Sequence, residues 1–154
     1  MALAEVIEYF KGFGLENKIQ LFDESSATVE LAAERLQVIP ARIAKSLSFR
    51  SGNGCILVVV AGDKKIDNAK FKEKFSMKAK MLNLDEVKEL VGHPVGGVCP
   101  FALPRQVEVY LDVSMQRFET VFPACGSENS AIELTCAELQ KYSEAKEWVD
   151  VCKG

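Results

Sequence analysis

The chain has 154 residues, of which 48% are hydrophobic and 27% charged, a composition typical of a globular protein with one hydrophobic core. The longest apolar run, Cys55 to Ala61, is too short to span a bilayer, and the N-terminal residues do not resemble a signal peptide. The net charge of −3 excludes a basic nucleic-acid-binding surface over the whole molecule. We therefore expect a cytoplasmic protein that does not bind membranes.

The cysteine and histidine content argues against a metal centre. The five cysteines are an odd number, and no two of them form a C-x-x-C pair, which disfavours a disulfide framework or a zinc ribbon. A single histidine excludes a multi-histidine metal site. The glycine motifs of dinucleotide- and phosphate-binding loops are also missing. We predict neither a metal nor a cofactor.

The first third of the chain predicts two helices and two strands. Apolar residues at helical spacing indicate helices over 5–13 and 28–37, with a short strand at 19–22 between them. The segment 41–50 alternates with period two, as a strand does. The next run, 55–61, is apolar at every position and predicts a central strand covered on both faces.

Lys45 is the charged residue on the apolar face of the predicted strand 41–50, where it lies with Ile43, Leu47 and Phe49. An inward amine loses hydration and needs an anionic or hydrogen-bonding partner, such as a phosphate or the charge that develops on an ester carbonyl. Two other interpretations are open. The strand begins after Lys45, or the amine extends past the edge of the sheet into water.

The remaining elements alternate between short strands and helices. Asp67 and Asn83 are candidate N-caps for helices that reach about Phe75 and Val91. The other predicted elements are strands over 78–82, 106–112, 120–122 and 131–134, a helix opened by a capping box at Thr135, and a short closing element over 147–152. Strands that occur in groups as well as between helices favour a mixed sheet with helices packed on it.

A lysine-rich segment stands out within this order. Seven lysines lie between Asp63 and Lys80, against three acidic residues. Such a patch can contact a phosphate backbone, and the alternative is an ordinary solvated helix face.

Two loops of small residues, 92–104 and 124–130, are candidate walls of a site. The first holds three of the ten glycines, three of the five prolines and the single histidine, yet it is apolar. In a rigid apolar loop of this kind, the backbone N–H groups typically face a ligand or another strand. His93 and Cys99 in this loop are a candidate thiolate–imidazole pair, although free cysteines are mostly buried hydrophobic residues.

Four features in this order resemble the YbaK / prolyl-tRNA-synthetase-associated editing domain family: Lys45, the segment Val60–Lys64, the loop Gly92–Ala102 and the segment Val121–Gly126. The resemblance runs from about Ile19 to Leu139. It implies an α+β fold, with a single domain over 1–154 and a mixed, partly barrel-like sheet surrounded by helices.

The resemblance also implies a function. Members are stand-alone aminoacyl-tRNA deacylases, which act in trans and hydrolyse the ester of a mischarged tRNA without a cofactor. The implied substrate is tRNA-Pro, or another tRNA, carrying a small wrong amino acid such as Ala, Cys, Ser or Thr. The implied partners are the 3′ acceptor end of the aminoacylated tRNA and prolyl-tRNA synthetase.

By the same resemblance, Lys45 matches the functional lysine of the family. The residues expected to bind substrate are Phe22, Ser46, Gly96, Gly97, Val98, Pro100, Ala124, Cys125 and Gly126. Backbone N–H groups near Gly97 would orient the ester carbonyl, and a water or a substrate group would attack it. Ser46 and the Ala124–Gly126 loop differ from the residues typical of Ala- and Cys-specific members, which leaves the amino acid open.

Two other functions are open at this point. One is a non-catalytic relative of the editing domain that binds tRNA or a synthetase. The other is a cysteine-dependent hydrolase that uses Cys99 or Cys125 as its nucleophile.

Overall fold

The computed structural model describes residues 2–94 and 96–153. Val95, which belongs to the predicted pocket loop, lies outside the described residues, as do Met1 and Gly154 at the ends of the predicted domain.

Eight short strands build the sheet structure. In chain order they are β1 (Gln20–Leu21), β2 (Ile43–Ser51), β3 (Gly54–Ala61), β4 (Glu108–Asp112), β5 (Thr120–Pro123), β6 (Ser130–Ala131), β7 (Leu134–Thr135) and β8 (Glu147–Val149). Six of them form one sheet in the order β7-β5-β2-β3-β4-β8, and β1 pairs with β6 in a separate ribbon. The β2–β3 and β5–β7 pairs are antiparallel, whereas β2–β5, β3–β4 and β4–β8 are parallel. The predicted mixed, partly barrel-like sheet is confirmed.

β3 is the central strand, and both of its faces are covered. Every residue from Cys55 to Ala61 is at most 5% exposed. Side chains at odd positions join a core that includes Phe10, and those at even positions join a second core that includes Phe71. The continuous apolar run was therefore a correct signal for a strand buried on both sides.

The helices surround this sheet, and three of them start at the predicted caps Asp67, Asn83 and Thr135. They are α1 (Ala2–Lys11), α2 (Val29–Leu36), α3 (Asn68–Phe75), α4 (Leu84–Glu86) and α5 (Cys136–Ser143). Thr28 and Asp67 cap α2 and α3, and complete capping boxes open α4 at Asn83 and α5 at Thr135. No helix in the described part of the chain is both long and apolar enough to cross a membrane.

Three predicted elements differ in the structure. The helix expected to reach Val91 continues from α4 as a π-helix over Val87–Val91. The strand expected over 78–82 is reduced to a single bridge between Met81 and Phe49. The strand expected over 131–134 is divided into β6 and β7, because Ile132 leaves the ladder and donates its N–H to the carbonyl of Pro123.

Candidate functional site

A cleft of about 280 Å³ opens along the outer edge of β2. β5 pairs with β2 only at Ile43 and Ala44, because β5 ends at Pro123 while β2 continues to Ser51. Further along, the segment 80–82 takes over as the neighbour of β2. The N–H of Leu82 donates to the carbonyl of Ser48 at 3.2 Å, and the N–H of Arg50 donates to the carbonyl of Lys80 at 2.8 Å. The cleft occupies the gap between these two neighbours.

Ser46 lies in this gap, and among the described residues the outer side of its main chain has no hydrogen-bond partner. Along an antiparallel strand, alternate residues direct their N–H and C=O groups to opposite sides. Ser48 and Arg50 direct theirs away from β3, so Ser46 does the same, towards the cleft that it lines. The Ser46 hydroxyl is buried and also has no hydrogen-bond partner among the described residues. This edge therefore offers a ligand one main-chain donor and one main-chain acceptor.

Lys45 lies beside Ser46 in the wall of the same cleft, half-buried and within β2. Since β2 begins at Ile43, the interpretation that the strand starts after Lys45 is wrong. The amine of Lys45 forms no hydrogen bond or ion pair with any described residue. Burial lowers the pKa of Lys45. Cys152, Glu30 and Asp63 partly oppose this effect, and Lys65 reinforces it. An amine in this position is free to contact an incoming anion.

Small side chains form one part of the wall. Gly96, Val98 and Ala124, three of the predicted binding residues, line the cleft together with Ala131. Gly96 has a φ of +89°, and a Cβ there would lie 3.0 Å from the Cβ of Ala27. Only glycine meets both constraints without strain. Small residues on this side leave room for a small side chain of a ligand.

Backbone N–H groups near Gly97 are predicted to orient a ligand, and the N–H of Gly97 itself is already used within the loop. That N–H donates to the carbonyl of Pro94 at 2.9 Å. A Cβ on Gly97 would lie 2.6 Å from the backbone nitrogen of Ser127, so the residue joins the two small-residue loops. Its position allows close packing of the two walls and does not line the cleft.

Four other predicted binding residues also lie outside the cleft wall. Cys125 is fully buried, and Gly126 packs against the backbone of Ala2. Pro100 lines a separate depression. Phe22 uses its N–H and its carbonyl in hydrogen bonds to Asn129. These residues support the loops around the cleft, and the structure gives none of them a direct position in it.

The histidine–cysteine pair is formed, but it is closed to chemistry. His93 Nε2 lies 2.9 Å from the carbonyl of Phe101 and 3.6 Å from Cys99 Sγ. Because the carbonyl accepts a hydrogen bond, Nε2 carries the proton and cannot take one from the thiol. Burial raises the pKa of the Cys99 thiol to about 12 and also raises that of Cys125. A thiolate nucleophile at either position does not fit this environment.

Several residues of the cleft were missed by sequence reasoning. They come from the start of α2, from β2, from segment 81–87 and from β5 and β6, namely Ser26, Ala27, Thr28, Val29, Ala32, Ile43, Ala44, Ser48, Met81, Leu82, Leu84, Val87, Phe122 and Ala131. The local patterns placed several of them in helices or strands but gave no sign that they share a cleft. Within 2–94 and 96–153, no cluster of three or more His, Cys, Asp or Glu side chains could hold a metal ion.

The lysine-rich segment divides into paired and unpaired members. Lys70 pairs with Asp150 and Lys74 with Glu147 on the far side of the second core. Lys78 and Lys80 are exposed, without an ion pair to any described residue, and they precede Met81 at the cleft. The unpaired positive charge therefore reaches the rim of the cleft.

Comparison with known proteins gives consistent matches. The family model of the aminoacyl-tRNA editing domain matches residues 23–142. The uncharacterized protein YwhH of Bacillus subtilis (strain 168) is 57% identical over 154 residues, covering 99% of this chain and 98% of YwhH. EbsC of Enterococcus faecalis, whose name proposes a Cys-tRNA(Pro)/Cys-tRNA(Cys) deacylase, is 27% identical over 73% of this chain and 70% of its own length. A crystal structure described as a proposed trans-editing enzyme for prolyl-tRNA synthetase has a TM-score of 0.88 at 25% identity, covering 99% of this chain and 98% of that one.

Proposed function

Since the chain belongs to the aminoacyl-tRNA editing domain family, we propose that it is a stand-alone deacylase acting in trans on mischarged tRNA. The family membership confirms the resemblance in the sequence. The names of EbsC and of the trans-editing enzyme support a substrate of the aminoacyl-tRNA type. We propose that residues 1–154 act as one editing domain.

One observation carries this proposal. Lys45 and the unpaired edge at Ser46 lie next to each other in a cleft that is lined on one side by small residues. An amino acid ester has a carbonyl oxygen that accepts hydrogen bonds and an ammonium group that donates them. The Ser46 N–H suits the carbonyl, and the Ser46 C=O suits the ammonium. The main-chain groups of Ser46 are thus complementary to those of the amino acid ester, and binding of the ester requires no metal ion.

The reaction we propose is direct hydrolysis of the ester. Water forms a bond to the carbonyl carbon, the carbonyl oxygen becomes an oxyanion, and the C–O bond to the ribose then breaks. The departing 3′ oxygen takes the proton that the water gives up. Lys45 would stabilise the oxyanion or hold the terminal phosphate, since its amine has no competing partner in the described structure. This scheme uses no protein nucleophile, which agrees with the closed state of Cys99.

Discrimination between amino acids would rest on the size of the cleft. Ala44, Ala124 and Ala131 would leave limited room beside the larger side chains of Ile43 and Phe122, so an added methylene of a larger amino acid would meet a wall. Size exclusion of this kind gives about 1–3 kcal/mol per methylene. We therefore propose a small amino acid, with Ala, Cys, Ser and Thr as the candidates and tRNA-Pro as the first tRNA to test. Such a substrate places the protein in the cytoplasm, with prolyl-tRNA synthetase as a candidate partner.

The test is a deacylation assay on tRNA-Pro, and on other tRNAs, charged with Ala, Cys, Ser, Thr and the cognate amino acid. We expect the wild type to cleave at least one mischarged species well above the rate in buffer. Lys45→Ala should lower that rate by about 100-fold, the scale of losing one oxyanion-stabilising group. Lys72→Ala is the matched control, because Lys72 is exposed on α3 and does not line the cleft.

Two outcomes would contradict the proposal at different points. If the wild type cleaves no aminoacyl ester but still binds tRNA, the chain is a binding module. If Lys45→Ala and Lys72→Ala are equally active, the role of Lys45 is wrong although the enzyme stands.

A further inference from the structure

Two large hydrophobic side chains at the mouth of the cleft are exposed to solvent. Met81 is 56% exposed and Leu84 is 66% exposed, and both line the cleft. Together we call them the apolar lip. Leu82 lies between them in the sequence but is only 8% exposed and belongs to the first core, so within 81–84 only Leu82 is buried.

The lip is held in place by its backbone. Met81 bridges to Phe49 at the edge of β2, and the capping box at Asn83 fixes the first turn of α4, which carries Leu84. The exposed positions are therefore a consequence of fixed elements, and a partner can bury them without refolding the segment. Burial of such side chains is favourable by about 25 cal/mol per Å².

The charges beside the lip indicate what kind of partner fits. Lys78 and Lys80, just before it, are exposed and unpaired among the described residues, which suits phosphate groups. Asp85 follows Leu84 directly and is exposed, which disfavours a phosphate on the lip itself. A flat, neutral, apolar group attached to a phosphate chain suits both the apolar lip and the neighbouring lysines. A nucleobase is such a group.

We propose that the apolar lip binds the adenine base of the 3′-terminal nucleotide of the aminoacylated RNA. This inference rests on the proposed function and adds the base-binding part of the same site. The small walls near Ala124 and Ala131 would take the amino acid, the ester would lie at Ser46 and Lys45, and the base would extend outwards onto the lip. The thioether of Met81 makes favourable contacts with aromatic rings, and the side chain of Leu84 gains from burial of apolar surface.

The experiment compares two non-hydrolysable ligands. One is 3′-alanylamino-3′-deoxyadenosine, in which an amide replaces the ester, and the other is the same ribose compound without a base. Calorimetry gives the Kd of each ligand for the wild type, Met81→Ala, Leu84→Ala and Ile39→Ala. Ile39 is the matched control, because it is 57% exposed and does not line the cleft.

We expect the wild type to bind the adenosine compound more tightly than the compound without a base. Met81→Ala and Leu84→Ala should each weaken binding of the adenosine compound about three- to tenfold and leave the other Kd unchanged. Ile39→Ala should change neither. Because the replaced residues are exposed, we expect the four proteins to have equal melting temperatures. Equal values will show that the variants are folded.

The possible failures are distinguishable. If the wild type binds both compounds equally, or if the lip variants lose no affinity for the adenosine compound, the lip inference is overturned and the deacylase proposal stands. If the wild type binds neither compound and also cleaves no ester in the deacylation assay, both are overturned. A loss in Ile39→Ala equal to that in the lip variants also overturns the inference.

Discussion

At the scale of single residues, burial decides which side chains keep their reactivity. Four of the five cysteines are buried and Cys136 is half-buried, and burial raises the pKa of all five thiols. We expect slow labelling of the native protein by a thiol reagent, with Cys136 modified before Cys99 and Cys125. Deacylation should survive this treatment. Rapid loss of activity, in step with labelling of Cys99 or Cys125, would instead support the hypothesis of a cysteine-dependent hydrolase.

His93 predicts a pH dependence of stability. Burial lowers its pKa, an effect that the Phe101 carbonyl and Glu5 oppose only in part. As pH falls below about 6.5, the unfolded chain takes up the histidine proton before the folded one does, so folding weakens. The free energy of unfolding should decrease between pH 7 and 5.5 with an added slope of up to about 1.4 kcal/mol per pH unit.

Urea unfolding of the wild type and His93→Gln across this range isolates that slope. The glutamine does not titrate, so the two curves should converge as the pH falls. Parallel curves would mean that His93 does not carry the effect.

At the scale of elements, Gly97 ties the two loops around the cleft. Its missing Cβ allows contact with the backbone of Ser127 at a distance that no side chain permits. Gly97→Ala should lower the free energy of unfolding by about 1–3 kcal/mol, the usual effect of overpacking. Gly54→Ala is the control, because a Cβ there would lie 3.9 Å from its nearest neighbour. Equal denaturation midpoints for the two variants would contradict the loop contact.

The start of α4 is the second element with a measurable contribution. The Asn83 side chain accepts a hydrogen bond from the N–H of Glu86, whose carboxylate accepts one from the N–H of Asn83. Asn83→Ala should lower the free energy of unfolding by about 1 kcal/mol. Asn68→Ala replaces an exposed asparagine in the first turn of α3 that is not its N-cap, and it should change stability by less than half as much. A thermal melt of both variants compares them directly.

Local patterns predicted the elements better than they predicted the site. The buried run of β3 and the caps at Asp67, Asn83 and Thr135 are signals that lie within a few residues, and each appears in the structure. The π-helix and the division of β6 from β7 had no such signal, because tertiary pairing decides them. The cleft combines segments from five parts of the chain, 26–32, 43–48, 81–87, 96–98 and 122–131, so Met81 and Ala131 gave no sign of their shared position.

At the scale of the whole molecule, the net charge conceals an uneven distribution. The chain carries −3 overall, but Lys78 and Lys80 are exposed without an ion pair to any described residue and directly precede Met81 of the cleft. Binding of tRNA should therefore weaken with salt, and each lost phosphate contact should reduce the slope of log Kd against log salt by about 0.9. Lys78→Ala combined with Lys80→Ala should flatten this slope, measured by filter binding from 50 to 300 mM salt.

Lys11→Ala is the control for that measurement. Lys11 is exposed in the last turn of α1, a helix that contributes no residue to the cleft wall. Its slope should equal that of the wild type. Equal slopes for all three proteins would exclude the rim lysines as phosphate contacts.

The unpaired edge at Ser46 has a consequence for how this protein can evolve. Its N–H and C=O belong to the backbone, so no substitution at position 46 except proline removes the donor, and none removes the acceptor. The small residues opposite, such as Ala124 and Ala131, belong to other segments and can change one at a time. A lineage can therefore alter the amino acid it accepts while the groups that hold the ester are inherited unchanged.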